Sequence, residues 1–160
     1  MDHFAYRHRS LYCEDVPVAE LAREYGTPLY LYSEATLVHH LTQIQTAFAE
    51  AKPIICYSIK ANGSLSIARL MGQHGAGFDV TSGGEFFRAL KAGPADAKIV
   101  FAGVGKTDAE IRYALENGVY LFDVESEQEL HAIGRVAESM RVVASVALRV
   151  NPDLPPKTHV

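Results

Sequence analysis

A unit of one strand followed by one capped helix recurs along the middle of the chain, and this repetition constrains the fold more than any other feature. Hydroxyl residues suited to helix N-caps stand at Ser82, Thr107 and Ser126, roughly every 20 to 25 residues. Each is followed three residues later by a glutamate, which predicts a capping box. Repeated strand–helix units predict a parallel sheet with right-handed crossovers.

The same analysis of apolar spacing places elements along the rest of the chain. One or two short strands are predicted around Phe4 and Tyr6, and helical spacing runs over 18–25 until Gly26 ends it. Further strands are predicted at 28–32, 54–59, 77–80, 98–103, 119–124 and 142–150, and further helix N-caps at Ser33 and Ser64.

Repeated strand–helix units build either an open doubly wound sheet or a (β/α)8 barrel, and short, even helices favour the barrel. After strand 142–150 the sequence continues as NPDLPPKTHV, a proline-rich segment without a helical pattern. Five or six strands cannot close a barrel of eight. We therefore predict an α/β chain that forms a partial (β/α)8 TIM-type barrel, truncated before closure. A complete small domain with an open sheet is the alternative.

Composition and charge argue against several classes of protein. With 15 basic and 19 acidic residues the formal net charge is −4, and no lysine- or arginine-rich stretch offers a surface to nucleic acid. The opening residues are polar, so no signal peptide is predicted, and the best apolar run, 142–148, is too short to cross a bilayer. Cys13, Cys56 and the scattered histidines predict neither a disulfide framework nor a metal site. We predict a cytoplasmic protein without nucleic-acid or membrane partners.

Lys60 is the first candidate for chemistry. Alternation along strand 54–59 puts Ile54, Cys56, Ser58 and Lys60 on one face, with Lys60 at the carboxyl end of the strand beside a turn. In such folds the carboxyl ends of the strands form the rim of the active site. A lysine that is partly desolvated there can act as an amine nucleophile toward a carbonyl. A solvated lysine at a strand end is the simpler interpretation.

Asp79 and Arg149 are two further charges near predicted strand ends. Asp79 lies at the tail of strand 77–80, in the place that Lys60 takes on the preceding strand. Arg149 alternates with mostly small residues along strand 142–150. These three charges could orient a cofactor or substrate, or they could form a salt-bridge cluster that plugs the barrel mouth.

Two short motifs resemble phosphate sites. The segment GVGKT, 103–107, looks like the end of a P-loop, but the glycine that the motif needs five positions before Gly105 is replaced by Val100. We therefore interpret GVGKT as a turn that begins a helix. The segment Ser82-Gly83-Gly84 could bind an anion at a helix N-terminus, although a tight turn is the better explanation.

Six segments of the chain carry a resemblance to one known enzyme family: GTPLYLYS (26–33), CYSIKAN (56–62), GAGFDVTSGGE (75–85), FAGVGKT (101–107), FDVESEQEL (122–130) and LRVNPDLPPKTH (148–159). In these segments the chain resembles the N-terminal half of the diaminopimelate decarboxylase family, pyridoxal-phosphate enzymes with an alanine-racemase-like barrel. The segments FDVTSGGE and VNPD…KTH resemble the diaminopimelate branch more than the ornithine or arginine branch.

The resemblance implies specific site residues. Lys60 matches the lysine that binds the aldehyde of pyridoxal 5'-phosphate, and Asp79 and Arg149 match charged residues near that lysine and the cofactor ring. Residues 1–25 are expected to belong to the family's second, β-rich domain and its connection, and residues 26–160 to the cofactor-binding barrel. The family's ring-stacking histidine, phosphate-binding glycine loop, Glu-Pro-Gly-Arg segment and partner-subunit cysteine are expected beyond Val160.

The expected function is pyridoxal-phosphate-dependent decarboxylation of meso-2,6-diaminopimelate to L-lysine by a homodimer, with this chain incomplete and inactive alone. Three alternatives stay open. The chain could be a non-catalytic relative or fragment that pairs with a full-length subunit, since an exposed edge of the predicted sheet would seek a partner strand. It could decarboxylate another basic amino acid, or it could be an open-sheet phosphate-binding domain that uses GVGKT.

Overall fold

The computed structural model describes residues 3–152, which form two separate sheets and six α-helices. One-turn 3-10 helices occupy Ala49–Ala51 and Ile59–Ala61. The strands are β1 (Phe4–Arg7), β2 (Ser10–Cys13), β3 (Val16–Pro17), β4 (Cys56–Ser58), β5 (Gly77–Val80), β6 (Ile99–Phe101), β7 (Leu121–Val124) and β8 (Val146–Leu148). The helices are α1 (Val18–Tyr25), α2 (Glu34–Ala47), α3 (Leu65–Gln73), α4 (Gly83–Ala92), α5 (Asp108–Glu116) and α6 (Glu127–Met140).

The larger sheet confirms the predicted strand–helix repeat. Its five strands are all parallel and follow the chain in the order β4-β5-β6-β7-β8, with one helix between each neighbouring pair. Parallel strands cannot be joined by tight turns, so each helix serves as the crossover between them. The carboxyl ends of all five strands therefore meet at one edge of the sheet, where the loops that follow them gather.

Alternation along the strands gives this sheet two different faces. Phe78, Phe101 and Phe122 point to one face and are fully buried against residues of α3 to α6. Burial of these apolar rings stabilises the folded state. The ring of Phe101 stacks between those of Phe86, on α4, and Phe122, at centroid distances of 6.0 Å and 5.9 Å. The opposite face is only half-buried and carries polar side chains.

The smaller sheet is antiparallel and is formed by the three strands β1, β2 and β3, whereas the sequence predicts one or two. Glu14, in the turn after β2, ties this sheet to the start of α2. Its Oε1 accepts hydrogen bonds from the Ser33 hydroxyl at 2.8 Å and from the Ala35 amide at 3.0 Å. Ser33 in turn caps α2 by accepting from the Thr36 amide at 3.0 Å, as predicted.

Only one of the three predicted capping boxes is reciprocal. Thr107 and Glu110 satisfy each other's amides at the start of α5. At the starts of α4 and α6 the hydroxyl of the N-cap serine accepts a hydrogen bond from the glutamate amide, as expected. The carboxylates of Glu85 and Glu129, however, bond the residue before the N-cap instead of the N-cap itself. They accept there from the amides of Thr81 and Glu125 at 2.7 Å. These carboxylates therefore fix the strand-to-helix turns as well as the helix ends.

Several predicted elements differ from the structure. Segment 28–32 was expected to be a strand but is irregular, because no strand among residues 3–152 pairs with its backbone and Tyr30 and Tyr32 are exposed. The predicted strand 142–150 is shorter in the structure, where β8 pairs with β7 and with no other strand among the described residues. Ser64 makes no side-chain cap bond.

Within residues 3–152 no helix has both the length and the apolar character that crossing a membrane requires.

Candidate active site at the carboxyl edge of the sheet

Lys60 lies at the carboxyl edge of the large sheet, in the one-turn helix that directly follows β4. Its neighbour Ile59 is 1% exposed and anchors this turn in the core. The side chain of Lys60 is exposed, and it forms no ion pair with any residue from 3 to 152. No side chain within residues 3–152 covers Lys60, so its partial desolvation stays a prediction.

Asp79 lies on the half-buried polar face of the sheet. Its register partner on β4 is Ser58, whose hydroxyl donates to Asp79 Oδ2 at 2.9 Å. Asp79 is thus two residues deeper along the sheet than the place of Lys60, which corrects the predicted alignment of these two charges. Because a hydrogen bond from a neighbouring strand fixes its carboxylate, Asp79 presents a defined acceptor on this face.

Arg149 follows β8 and pairs with Glu125, at the end of β7. Its Nη1 donates to Glu125 Oε2 at 2.9 Å, and the arginine side chain stays 59% exposed. Within residues 3–152, Lys60, Asp79 and Arg149 form no ion pair with one another. A salt-bridge cluster of these three charges, one of the two interpretations of the sequence, is therefore not formed in the described part of the chain.

Asp123 is a second carboxylate on the same polar face, and the sequence analysis missed it. Burial raises its pKa first, and the charge of Asp79 raises it further, while Lys106 acts in the opposite direction. The pKa of the Cys56 thiol is also raised, mainly by burial and then by Asp79 and Asp123. The tripeptide Phe-Asp-Val occurs at both 78–80 and 122–124, and this repeat was the available signal for Asp123.

Lys106 confirms that GVGKT is not a P-loop. Its side chain is only 1% exposed, and its ammonium donates to Gly103 O at 2.7 Å, to Asp123 O at 2.8 Å and to Glu129 Oε1 at 2.6 Å. An ammonium has three donors, and all three are used inside the protein. This lysine therefore fastens the turn before α5 to the end of β7 and to α6, and it has no donor free for a phosphate.

The N-terminus of α4 is occupied by a carboxylate of the chain itself. The Gly83 amide donates to Glu110 Oε1 at 2.8 Å. This bond is the main cause of the lowered pKa of Glu110, followed by the bond from the Thr107 amide. The anion that Ser82-Gly83-Gly84 can bind is thus Glu110, so this segment links two neighbouring strand-to-helix turns.

Glu110→Gln is expected to lower stability at neutral pH by about 1 kcal/mol, because charge-assisted hydrogen bonds to two backbone amides are weakened. The pKa of Glu110 is lowered in the folded state, so its stabilisation is present above the ordinary value of 4.5 and is lost as the pH falls through the folded pKa. Urea unfolding of both proteins at several pH values measures this difference. A stability difference that stays constant or grows as the pH falls would contradict the assignment.

Comparison with known proteins identifies the family. The sequence of residues 34–160 matches the family model for the pyridoxal binding domain of pyridoxal-dependent decarboxylases. The chain belongs to this family. Its cofactor is therefore pyridoxal phosphate.

Similar proteins of known sequence and structure agree with the family. The chain is 51% identical over 150 residues to the diaminopimelate decarboxylase of Neisseria meningitidis serogroup A, covering 94% of this chain and 37% of the relative. It is 45% identical to the diaminopimelate decarboxylase of Vibrio cholerae, covering 99% of this chain and 38% of that relative. The crystal structure of the M. jannaschii diaminopimelate decarboxylase with L-lysine superposes with a TM-score of 0.91 at 35% identity, covering 98% and 37%. The chain thus spans little more than a third of the length of these relatives.

The described residues fit the aldehyde end of this cofactor. Pyridoxal phosphate attaches to proteins through a lysine amine, and the exposed Lys60 Nζ is free of ion pairs within residues 3–152. Lys106, by contrast, has no free donor. At the N-terminus of α4, Glu110 takes the Gly83 amide, so that helix end does not fit the phosphate. The fit therefore rests on Lys60 and on the polar face below it.

Proposed function

We propose that the whole protein decarboxylates meso-2,6-diaminopimelate to L-lysine with pyridoxal phosphate, and that Lys60 holds the cofactor covalently. The observation that carries this proposal is the exposed lysine at the carboxyl edge of the sheet, within the matched cofactor-binding residues 34–160. The substrate is inferred from relatives that are named diaminopimelate decarboxylases and from one of their structures that contains L-lysine.

Residues of this chain are proposed to have different roles around the cofactor. Pyridoxal phosphate, when bound, supplies an electron sink for the pair left behind as the carboxylate departs. Lys60 would hold the cofactor through its amine, and no side chain within residues 3–152 blocks access to it. We assign Asp79, which is oriented by Ser58, to the surroundings of the cofactor. We assign Arg149 there too, and within residues 3–152 its guanidinium pairs with Glu125. The net reaction releases carbon dioxide and replaces the carboxylate by a proton.

The same proposal covers organisation and location. Residues 1–25 are assigned to a second, β-rich domain and its connection, in line with the separate sheet of β1 to β3, and residues 26–160 to the barrel. The active form is proposed to be a homodimer in the cytoplasm, where both free cysteines would stay reduced. Sedimentation of the whole protein at a monomer's mass would contradict the dimer.

The function is tested by measuring carbon dioxide release by the purified whole protein. The substrates compared are meso-2,6-diaminopimelate, lysine, ornithine and arginine. We expect diaminopimelate to be favoured by about a hundredfold or more in kcat/KM, because a site that pairs with the second amino-acid group loses those bonds with the other substrates. Faster decarboxylation of another basic amino acid would replace the proposed substrate. No turnover of any of them, with the cofactor bound at Lys60, would favour a non-catalytic relative.

A further inference from the structure

The turn that carries Lys60, residues 59–63, receives hydrogen bonds from two side chains outside it. The Tyr57 hydroxyl, on β4, donates to Asn62 O at 3.0 Å. Arg88 Nη1, on α4, donates to Gly63 O at 2.9 Å. Neither Tyr57 nor Arg88 stood out in the sequence, and neither has a place in the chemistry described above.

Little inside this turn fixes its shape. It contains a single turn of 3-10 helix, whose hydrogen-bond geometry is weaker than that of an α-helix. Ile59 is buried and anchors one end, but Lys60 and Ala61 are exposed. Past that anchor, the bonds to the Asn62 and Gly63 carbonyls tie the segment to β4 and α4. The Ser64 amide adds an Asx-type bond to Asn62 Oδ1 at 3.0 Å.

We propose that Tyr57 and Arg88 are positioning residues for Lys60. The inference rests on the proposed function of Lys60 as the covalent anchor of the cofactor. The lysine backbone lies between the buried Ile59 and the two held carbonyls, so its Cα is fixed while its side chain stays free to react. A fixed origin limits the positions that Nζ can sample, which lowers the entropic cost of bonding the cofactor at one place.

The two contacts also join Lys60 to different parts of the fold. Tyr57 belongs to the strand that precedes the lysine, whereas Arg88 belongs to the helix that follows the next strand. A Cβ added at Gly63 would lie 4.0 Å from Arg88 Cδ, so the stem of this arginine runs beside the turn. A lysine placed at position 88 could still donate a hydrogen bond to the Gly63 carbonyl, whereas a methionine there would keep only the apolar stem.

Tyr57→Phe and Arg88→Met test the proposal, with Arg88→Lys as the conservative variant. Matched controls are Tyr113→Phe and Arg69→Met, because Tyr113 keeps its ring packing on Phe86 and the exposed Arg69 forms no ion pair within residues 3–152. The first readout is the dissociation constant of pyridoxal phosphate, from absorbance titration of the whole protein. The second is the exchange rate of backbone amides in peptides that cover 59–64.

Tyr57→Phe and Arg88→Met are each expected to weaken cofactor binding by about three- to tenfold, the size of one net hydrogen bond. Amide exchange in 59–64 should accelerate in both variants, Arg88→Lys should recover part of the affinity, and the controls should match wild type. The melting temperatures of Tyr57→Phe and Arg88→Met should fall no further than those of the control variants. A general loss of stability would lower them further.

Failure of this inference is distinguishable from failure of the proposed function. If wild type binds the cofactor at Lys60 but amide exchange and affinity in both variants equal those of the controls, the positioning role is overturned and the function stands. If borohydride reduction leaves no cofactor on Lys60 of wild type, the proposed function is overturned, and the positioning role that rests on it falls too.

Discussion

Replacing Lys60 with alanine is expected to abolish decarboxylation by the whole protein, with a loss in kcat of about a thousandfold or more. The reason is geometric as well as chemical. Lys60 is an exposed amine at the carboxyl edge of the sheet, whereas Lys106, which also lies near this edge, has its three donors bonded inside the protein. Turnover by the variant, measured as carbon dioxide release with saturating pyridoxal phosphate, checks this expectation.

Lys91→Ala is the matched control for this experiment. Lys91 is also exposed, but it lies near the end of α4 with its ammonium 5.4 Å from the centre of the Phe87 ring, away from the carboxyl edge. We expect its activity to stay within about twofold of wild type, since surface substitutions of this kind have small effects. Residual activity of Lys60→Ala near that of this control would refute the role assigned to Lys60.

Lys106→Met is expected to lower the free energy of unfolding by about 3 to 5 kcal/mol, because removing one partner leaves a buried charge uncompensated. Lys106 and Glu129 are 1% and 8% exposed and lie 2.6 Å apart. Methionine also leaves the carbonyls of Gly103 and Asp123 without the donor they share. Urea unfolding of the variant and of wild type gives the difference.

The double variant Lys106→Met, Glu129→Gln separates charge from packing. It should be more stable than Lys106→Met alone, because the unpaired carboxylate is then gone. Lys98→Met is the control, since Lys98 is exposed and contacts the Tyr120 ring at 4.8 Å, and it should cost no more than about 1 kcal/mol. A loss in Lys106→Met no larger than that of the control would contradict the structural role of the pair.

The parallel sheet could be predicted because its signals are local. The cap hydroxyls at 82, 107 and 126 sit next to the strands and helices that they separate, and each apolar run before them became a strand. Helix Val18–Tyr25 and strand Gly77–Val80 match the structure at both ends for the same reason. Short-range periodicity and capping chemistry act within a few residues, so a single sequence is enough to detect them.

What the sequence could not predict depends on distant partners. Segment 28–32 has the composition of a strand, but strand formation requires a neighbour to pair with, and pairing is not encoded in the segment itself. Likewise Lys106 and Glu110 are adjacent to a turn in sequence, while the groups they bond, Glu129 and Gly83, lie more than 20 residues away. The lysine turn shows the same limit, since its contact with Arg88 crosses from one strand–helix unit to the next.

Covalent trapping tests the central claim most directly. The whole protein is incubated with pyridoxal phosphate, reduced with borohydride, and digested so that mass spectrometry locates the label, with Lys60→Ala treated in parallel. The account predicts a label confined to the peptide that contains Lys60 and absent from the variant. Labelling spread over many lysines and unchanged in Lys60→Ala would contradict it.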